Sequence, residues 1–390
     1  MRVYQKYAKI TVCVFLTAVF FFIYKYLSDN NTNVIQYVHL KSNETDLKYI
    51  LLWTSPKTEP FVFIGLERSG FIKRNCSYTN CFVTADRNYF ENYGQFHAVV
   101  FAMSEATRYK SSQLPKYRSP DQKYVFSSIE SSHYYPACSD RFNNYFNWTW
   151  SFRLDSDCRY EYMAIRDMHD NVIGPNKIMH WMKVENMTPV SSELKNSLQS
   201  KTIAAAWFAS NCHSKSKREE FVEQLRNELS KYNHTVDIYG KCGKLSCPRK
   251  KTQKCFELIK KKYYFYLSFE NSYSVDYVTE KLLTALKNNA VPIVYGEANY
   301  TRFMPDGMYL NARTLGPKAL AKQIDLLIRN PDKYADYFRW KNHYSYHGRH
   351  ESPDTDDICA FCKLLNDEDK FRENSVVGNF REWWDSPKFC

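Results

Sequence analysis

Residues 263–295 constrain the fold of this chain more than any other part of the sequence. Residues 263–269 (YYFYLSF) and 290–295 (AVPIVY) have the composition of buried strands. Between them, residues 277–287 have apolar side chains at the spacing of one buried helical face, and Asp276 is the predicted N-cap. The segment therefore predicts a strand, loop, helix and strand of a doubly wound α/β fold.

Further strand-like stretches predict that this unit is one of two. Residues 49–54, 61–64, 97–103 and 123–129 are rich in β-branched and aromatic side chains and are separated by polar or proline-containing segments. They predict a first α/β domain. The apolar residues 201–209 then open the second unit, and a length of 390 residues suits two domains.

The second unit also predicts where a ligand binds. In doubly wound folds, ligands lie beyond the C-terminal ends of the strands, here the loop 270–275 and the helix start. The chain has no GxGxxG motif, so a dinucleotide pocket is not predicted. Lys281 at the helix start instead favours a diphosphate, bound by backbone amides and an ammonium group.

The N-terminal segment predicts membrane attachment. Residues 10–24 (ITVCVFLTAVFFFIY) contain no charged side chain, while Arg2, Lys6 and Lys9 precede them and Lys25 follows. This pattern predicts a signal anchor at residues 10–27, a cytoplasmic tail at residues 1–9 and a luminal stem at residues 28–48. A cleaved signal peptide is the alternative, but no small-residue cleavage motif follows Tyr24.

Two further patterns agree with a luminal body. Eleven cysteines follow the anchor, which suits an oxidising compartment, and their odd number leaves at least one unpaired within the chain. Seven Asn-x-Ser/Thr sites predict N-glycosylation. They lie at Asn30, Asn43, Asn75, Asn147, Asn186, Asn233 and Asn299.

The charge distribution narrows the class of partner. The chain has a formal charge of +12, and residues 215–262 hold 14 basic and 6 acidic residues, or +8 of that total. Nucleic acid, a membrane surface and a phosphorylated small molecule would all suit a basic protein. Because a luminal body does not meet nucleic acid, an anionic nucleotide-sugar is the expected partner.

Residues 265–296 (FYLSFENSYSVDYVTEKLLTALKNNAVPIVYG) resemble the donor-binding signature of the alpha-1,3-fucosyltransferases, glycosyltransferase family ten. Four other segments resemble the same family: VFSSIESSHYY at 125–135, FNWTWSFRLDSD at 146–157, FASNCHSKSKREEFVEQL at 208–225 and CAFC at 359–362. The resemblance implies a GT-B fold, in which two Rossmann-like domains face each other across a cleft. Its parts would be an acceptor-side domain at 49–195, a GDP-fucose-binding domain at 196–350 and a disulfide-bearing C-terminal segment at 351–390.

The resemblance also implies a reaction and its residues. Family members transfer L-fucose with inversion from GDP-β-L-fucose to the 3-hydroxyl of N-acetylglucosamine in glycoprotein N-glycans, in the Golgi. Glu130 matches the position of the catalytic base, and Arg218 and Lys281 match cationic contacts to the diphosphate. Further donor-contact positions match Asn211, Asn271, Tyr277 and Glu280. The resemblance does not decide whether the acceptor is the core N-acetylglucosamine or an antennal Gal-GlcNAc or GalNAc-GlcNAc unit.

Two alternatives accompany this interpretation. Asp155 and Asp157 form an Asp-x-Asp pair that could chelate the metal of a GT-A transferase. A luminal glycan-binding pseudoenzyme is the second alternative. No obligatory cofactor is expected, and Mn²⁺ or Mg²⁺ would at most stimulate turnover.

The cysteines leave a further choice. A zinc site or two disulfides would use Cys76, Cys81, Cys359 and Cys362, and the resemblance favours disulfides that tie the C-terminal segment to the first domain. Cys242, Cys247 and Cys255 lie close enough in sequence for one more pair.

Overall fold

The computed structural model describes residues 46–385 and 388–390. The predicted tail and anchor, most of the stem, and the sequons at Asn30 and Asn43 lie outside the described residues. Among the residues that are described, no helix combines the length and the hydrophobicity needed to cross a bilayer.

The first half of the chain forms a six-stranded parallel sheet in the order β2-β1-β3-β4-β5-β6. Because the strand order reverses between β1 and β3, the loops that follow these two strands diverge and leave a crevice at their C-terminal ends. The strands are β1 (Lys48–Leu52), β2 (Cys81–Thr84), β3 (Ala98–Ala102), β4 (Lys123–Ser128), β5 (Trp148–Ser151) and β6 (Cys158–Arg159).

The second half forms a five-stranded parallel sheet in the order β10-β9-β11-β12-β13. Its order reverses between β9 and β11, so it has the same kind of crevice. A small antiparallel sheet, β14-β7-β8, is separate. The strands are β7 (Met163–Asp167), β8 (Val172–Gly174), β9 (Ile203–Phe208), β10 (Val236–Tyr239), β11 (Tyr263–Phe269), β12 (Val291–Tyr295), β13 (Leu310–Asn311) and β14 (Tyr344–Gly348).

Helices connect these strands and cover the sheets. The helices of the described residues are α1 (Phe61–Ile64), α2 (Ser69–Lys73), α3 (Met103–Ala106), α4 (Ser192–Gln199), α5 (Arg218–Ser230), α6 (Thr252–Lys262), α7 (Glu280–Lys287), α8 (Ala312–Arg329), α9 (Pro331–Asp336), α10 (Asp357–Asn366), α11 (Glu368–Arg372) and α12 (Phe380–Asp385).

The C-terminal helices pack against the first sheet. In α10, Phe361, Cys362 and Leu365 are fully buried in the same core cluster as the strand residues of that sheet. The ring of Phe361 stacks on Trp150 of β5 with 4.7 Å between centroids. The end of the chain is therefore part of the first half.

Two local predictions are wrong. Residues 61–64 form a helical turn, because the side chains that are buried, Phe61 and Ile64, are three positions apart, whereas a strand would bury alternate residues. Asp276 is not the N-cap of α7, since that helix begins at Glu280 with Thr279 as N-cap. Asp276 is buried and accepts a hydrogen bond from Arg302 instead.

Five disulfides are present in the described residues. Cys76 is joined to Cys359 and Cys81 to Cys362, so these thiols are not available for a zinc site. The other bridges are Cys138–Cys390, Cys212–Cys242 and Cys247–Cys255. One disulfide was predicted among Cys242, Cys247 and Cys255, but all three are paired, because Cys242 bonds Cys212. Cys158 is a buried free thiol.

Replacement of Cys76, Cys81, Cys359 and Cys362 together by alanine should lower the free energy of unfolding by about 3–5 kcal/mol, because both bridges close very long loops. Both must be removed, since either bridge alone keeps the same loop closed. Urea unfolding measures the change. Alanine at Cys247 and Cys255, which are only 8 residues apart, is the matched control and should cost less. An equal loss in both variants would contradict the loop-closure account.

Candidate active site

Glu130 lies two residues after β4, at the C-terminal edge of the first sheet. The Tyr277 hydroxyl donates a 2.8 Å hydrogen bond to Glu130 Oε2. Tyr277 comes from the loop before α7 in the second half, and it is buried against the ring of Phe152 at 4.9 Å. Tyr162 fixes the backbone beside Glu130, because its hydroxyl donates to the Ile129 carbonyl at 2.7 Å. The carboxylate is therefore held by both halves of the chain.

The surroundings of Glu130 change its pKa. Burial raises the pKa of Glu130, and the negative charges of Glu270 and Glu280 raise it further. The Tyr277 hydrogen bond and the positive charge of Lys281 act in the opposite direction. The result is a pKa above the usual range for a glutamate. A carboxylate with a raised pKa accepts a proton more readily, which is what general base catalysis requires.

On the facing edge of the second sheet, Lys281 is held by acidic and hydroxyl groups. Its ammonium contacts Glu270 Oε2 at 3.0 Å, Glu280 Oε1 at 3.2 Å and Thr279 Oγ1 at 2.6 Å. Burial would lower the pKa of Lys281, but Glu270 and Glu280 outweigh it and the pKa is raised. Lys281 is therefore a fixed cation at the start of α7.

Glu270 is the site residue that the sequence reasoning missed. It is 1% exposed, directly follows β11, and accepts hydrogen bonds from the backbone amide and hydroxyl of Thr279. Burial raises the pKa of Glu270, and Lys281 opposes that change. The sequence signal that could have identified Glu270 is its position immediately after a predicted central strand. Glu270 joins the end of β11 to the start of α7 and so positions Lys281.

Arg218 begins α5 on the other side of the same crevice. Its guanidinium donates to the Phe269 and Asn211 carbonyls, and it lies over the ring of Trp207 with 5.4 Å to the centroid. The side chain is buried, and its Nε has no hydrogen-bond partner among the described residues. The same Nε lies 3.9 Å from the Glu219 carboxylate, so the guanidinium is a buried cation with one acidic neighbour at the N-terminus of α5.

Short polar contacts join the two edges beside Glu130. The hydroxyls of Ser131 and Ser272 are 2.6 Å apart, and those of Ser132 and Ser274 are 2.9 Å apart. All four serines are buried. The loops that follow β4 and β11 are therefore in direct contact.

The remaining predicted donor residues have different surroundings. Asn211 is exposed and donates to the Tyr134 hydroxyl of the first half at 2.8 Å. Asn271 is half-buried, and its side chain accepts from Ser272. Glu280 is the most exposed of the acidic residues around Lys281. Tyr277 is buried with its hydroxyl on Glu130, so the structure associates it with the carboxylate rather than with the donor crevice.

The basic segment 215–262 divides between two ends of the second sheet. Lys215 and Arg218 lie at the crevice, and Lys215 donates to the His133 carbonyl of the first half at 2.6 Å. The run 260–262 ends α6 immediately before β11, at the opposite edge of the sheet. Only some of the basic residues of segment 215–262 therefore lie at the crevice.

Asp155 and Asp157 do not form a metal site. Asp155 accepts two hydrogen bonds from Arg153, at 2.9 and 3.0 Å, and also pairs with Lys177. Burial raises the pKa of Asp155, but Arg153 outweighs it and the pKa is lowered. Asp157 accepts from the amide and hydroxyl of Thr149, both at 2.8 Å. Both carboxylates are bonded to neighbouring protein groups, so they do not form the metal-binding pair that the GT-A alternative needs.

A second acidic group lies elsewhere in the first half. His350, Asp356 and Asp357 bring potential ligand atoms within 4.8 Å of one another. Arg74 contacts Asp356 at 3.2 Å, and Arg349 contacts Asp357 at 3.5 Å. Because two arginines already neutralise these carboxylates, the group does not suit a divalent cation.

The predicted glycosylation sites in the described residues differ in exposure. Asn147 is half-buried, and its Nδ2 donates to the Ser375 carbonyl at 2.8 Å while its Oδ1 accepts from the Tyr124 amide. A glycan would replace one of the two hydrogens on this half-buried nitrogen, so Asn147 is the least accessible of the predicted sites in the described residues. The exposed sequon residues are Asn75, Asn186, Asn233 and Asn299.

Comparison with known proteins adds independent information. Residues 198–383 match the model described as "Glycosyltransferase family 10 (fucosyltransferase) C-term", and residues 45–163 match "Fucosyltransferase, N-terminal". The chain belongs to glycosyltransferase family 10.

Family 10 relatives cover most of the chain. "Alpha-(1,3)-fucosyltransferase C" of Drosophila melanogaster is 34% identical over 315 residues, which cover 80% of this chain and 70% of the relative. "Glycoprotein 3-alpha-L-fucosyltransferase A" of the same organism is 29% identical over 83% of this chain and 58% of the relative. A crystal structure of an alpha1,3-fucosyltransferase with GDP-fucose has a TM-score of 0.50 at 18% identity, with 85% of this chain and 92% of that chain covered. That likeness supports the α/β fold.

Lys281→Met should lower the free energy of unfolding by about 3–5 kcal/mol, because it leaves Glu270 buried without its cation. Denaturant unfolding at neutral pH measures the loss. The loss should shrink as the pH falls, since the unpaired carboxyl becomes neutral on protonation. The double variant Lys281→Met with Glu270→Gln is the control, and it should be more stable than Lys281→Met alone. Equal stability of the two variants would mean that the pair does not couple.

Proposed function

We propose that this family 10 enzyme transfers L-fucose from GDP-β-L-fucose, with inversion, to the 3-hydroxyl of N-acetylglucosamine in glycoprotein N-glycans. The observation that carries the proposal is the hydrogen bond between Tyr277 and Glu130. It brings a carboxylate at the crevice of one sheet close to the cations at the crevice of the other. The proposal includes a GT-B arrangement, with the first half on the acceptor side and the second half on the donor side.

Each half would supply one part of the reaction. Glu130 would take the proton of the acceptor 3-hydroxyl while that oxygen attacks C1 of fucose on the face opposite GDP. One bond forms from the acceptor oxygen to C1 as the bond from C1 to the phosphate oxygen breaks, so the configuration at C1 inverts. Arg218 and Lys281 would stabilise the negative charge that grows on the departing diphosphate.

The contacts of Lys281 suggest how the donor binds. Its ammonium is shared among Glu270, Thr279 and Glu280, and Glu280 has the most exposed side chain of the three. A phosphate oxygen would replace Glu280 at Lys281. Glu280 would then accept a hydrogen bond from a sugar hydroxyl of the donor, with Asn271 and Asn211 as further polar contacts.

Names of similar proteins support the same reaction. The relatives in Drosophila melanogaster are named as an alpha-(1,3)-fucosyltransferase and a glycoprotein 3-alpha-L-fucosyltransferase. A solved alpha1,3-fucosyltransferase has been crystallised with GDP-fucose. These names do not choose between a core and an antennal acceptor, so both are retained in the proposal.

For the location we propose a single-pass type II protein of the Golgi membrane with its body in the lumen. The uncharged residues 10–24 with preceding basic residues support an anchor. The five disulfides support an oxidising compartment. We propose no obligatory cofactor, with Mn²⁺ or Mg²⁺ stimulatory at most. Loss of all turnover in excess EDTA would contradict that part of the proposal.

The function is tested with the purified chain, GDP-fucose and a panel of defined N-glycans. The panel contains the core N-acetylglucosamine and antennae that end in Gal-GlcNAc, GalNAc-GlcNAc or GlcNAc. Mass spectrometry of the products should find one added deoxyhexose, removable by an α-1,3-specific fucosidase. No product from any glycan, with no release of GDP, would favour the glycan-binding pseudoenzyme instead.

Glu130→Gln should lower kcat by at least ~100-fold, the scale of a lost general base. GDP release under saturating substrates measures the rate, and calorimetry should find the affinity for GDP retained. Glu185→Gln, at an exposed position, is the matched control and should leave both values unchanged. Turnover near the unaltered rate in Glu130→Gln would place the base elsewhere.

Tyr277→Phe should move the acidic limb of the pH profile of kcat/KM to higher pH. The Tyr277 hydrogen bond acts to lower the pKa of Glu130, so its removal raises that pKa further. Because the base must be unprotonated, activity is then lost at a higher pH as the solution is acidified. Tyr346→Phe, a buried tyrosine bonded to the Phe303 carbonyl, is the control and should keep the original limb. An unshifted limb in Tyr277→Phe would separate Tyr277 from the protonation of Glu130.

A further inference from the structure

An open pocket lies between α1, α2 and the segment that precedes α10. Its volume is about 630 Å³, which is within the range of ~300–1,000 Å³ typical of small-molecule sites. Phe63 of α1, Lys73 of α2 and residues 350–353 are among the residues that line it. None of its lining residues takes part in the proposed reaction, so the pocket is separate from the candidate active site.

A glycosylation sequon opens into this pocket. Asn75 is one of the lining residues, it is exposed, and Ser77 completes its Asn-x-Ser motif. The Asn75 side chain forms no hydrogen bond within the described residues, whereas Asn147 Nδ2 donates to a carbonyl. A sugar attached to Asn75 Nδ2 would therefore begin at the wall of the pocket.

One wall of the pocket is apolar and accessible. Val62 is 52% exposed and Phe63 is 36% exposed, and both lie on α1 and line the pocket. Covering exposed apolar surface stabilises the state in which it is covered. The C–H groups on one face of a pyranose ring can pack against aliphatic and aromatic side chains. The wall therefore suits a sugar.

The pocket is preformed, because Arg74 joins its three walls. Arg74 directly follows α2, donates to the Phe63 carbonyl of α1 at 2.6 Å, and contacts the Asp356 carboxylate before α10 at 3.2 Å. Cys76 is joined to Cys359 of α10, which fixes the backbone next to the sequon asparagine. An attached glycan therefore meets walls that do not first have to be ordered.

The charges of the pocket favour a neutral occupant. Asp356 is buried, and its carboxylate is contacted by Arg74 at 3.2 Å and by His350 at 2.5 Å. Glu351 is paired with Lys287. Because the acidic groups are already paired, they do not call for a cation. The hydroxyl and acetamide groups of N-acetylglucosamine can bond to such side chains without adding charge.

We propose that the first two N-acetylglucosamine units of an N-glycan on Asn75 occupy this pocket. They pack their C–H faces against Val62 and Phe63 and so stabilise the folded chain. The inference goes beyond the proposed reaction. It rests only on the proposed luminal location, because N-glycans are added in the lumen of the secretory pathway.

Ser77→Ala tests the proposal, because it removes the sequon and leaves Asn75 in its left-handed backbone conformation, with φ of 54°. The full chain is produced in eukaryotic cells that add N-glycans, and mass spectrometry of its peptides measures the occupancy of each sequon. Asn75 should be occupied in the unaltered chain. Ser77→Ala should lower Tm by about 2–4 °C, the scale of a small lost packing contribution in a large domain. Ser77→Thr keeps the sequon and should keep the original Tm.

Thr235→Ala is the matched control, since it removes the sequon at Asn233. That asparagine is also exposed and also left-handed, with φ of 60°, but it does not line this pocket. Thr235→Ala should therefore leave Tm unchanged. An equal loss of Tm in Ser77→Ala and Thr235→Ala would overturn the proposal.

Enzymatic removal of the glycans from the folded chain separates docking from an effect on folding in the cell. Complete removal should lower the Tm of the unaltered chain by the same 2–4 °C, and it should hardly change the Tm of Ser77→Ala. An endoglycosidase that leaves one N-acetylglucosamine on each asparagine should cause a smaller loss. An unchanged Tm of the unaltered chain after complete removal would contradict docking.

Val62→Ser tests the apolar wall. In the glycosylated chain it should lower Tm, because the sugar then loses an apolar contact. In the Ser77→Ala background the same replacement should leave Tm nearly unchanged, since Val62 is already half exposed there. The same loss in both backgrounds would mean that the glycan lies elsewhere.

Failure of the inference can be distinguished from failure of the proposed location. If no sequon of the purified chain carries a glycan, the luminal location fails and this inference with it. If Asn233 carries a glycan and Asn75 does not, only the inference fails.

Discussion

The hydrogen bond from Tyr277 to Glu130 is the interaction on which the arrangement of the site depends. It joins a residue before α7 of the second half to a residue after β4 of the first half. The serine pairs on either side of it fix the same two loops. Without this junction, the carboxylate would keep its strand but lose its position relative to Lys281 and Arg218. The proposed reaction uses both the carboxylate and the cations, since it removes a proton from the acceptor while negative charge grows on the leaving diphosphate.

In each half, a glutamate at the crevice also bonds groups of a neighbouring loop. In the second half, Glu270 ties the end of β11 to Thr279 and Lys281 at the start of α7. In the first half, Glu105 ties the loop after β1 to the segment after β3. Both are glutamates that follow a strand closely in sequence and bond backbone or hydroxyl groups of a neighbouring loop. The crevices are therefore held in shape by side chains and not by the sheets alone.

The sequence predicted the elements whose signals are local. Residues 263–269 are strand because aromatic and apolar side chains are buried on both faces of a parallel sheet, and no distant residue is needed to see this. The start of α7 could not be predicted from Asp276, because the Asp276 carboxylate accepts a hydrogen bond from Arg302, 26 positions later in the chain. The hydrogen bond from Tyr277 to Glu130 could not be predicted for the same reason, because the two residues lie 147 positions apart in the chain. Long-range pairings decide these positions, and one sequence does not display them.

The attachment of the C-terminal segment to the first sheet affects the order in which the chain can fold. The strands of the second sheet, from Ile203 to Asn311, are contiguous in sequence and can assemble as soon as they leave the ribosome. The first sheet is synthesised earlier but lacks the side chains of Phe361 and Leu365 until α10 emerges. Its apolar face must stay exposed, or be covered by chaperones, while the rest of the body is made. The half of the molecule that is translated first is therefore the half that is completed last.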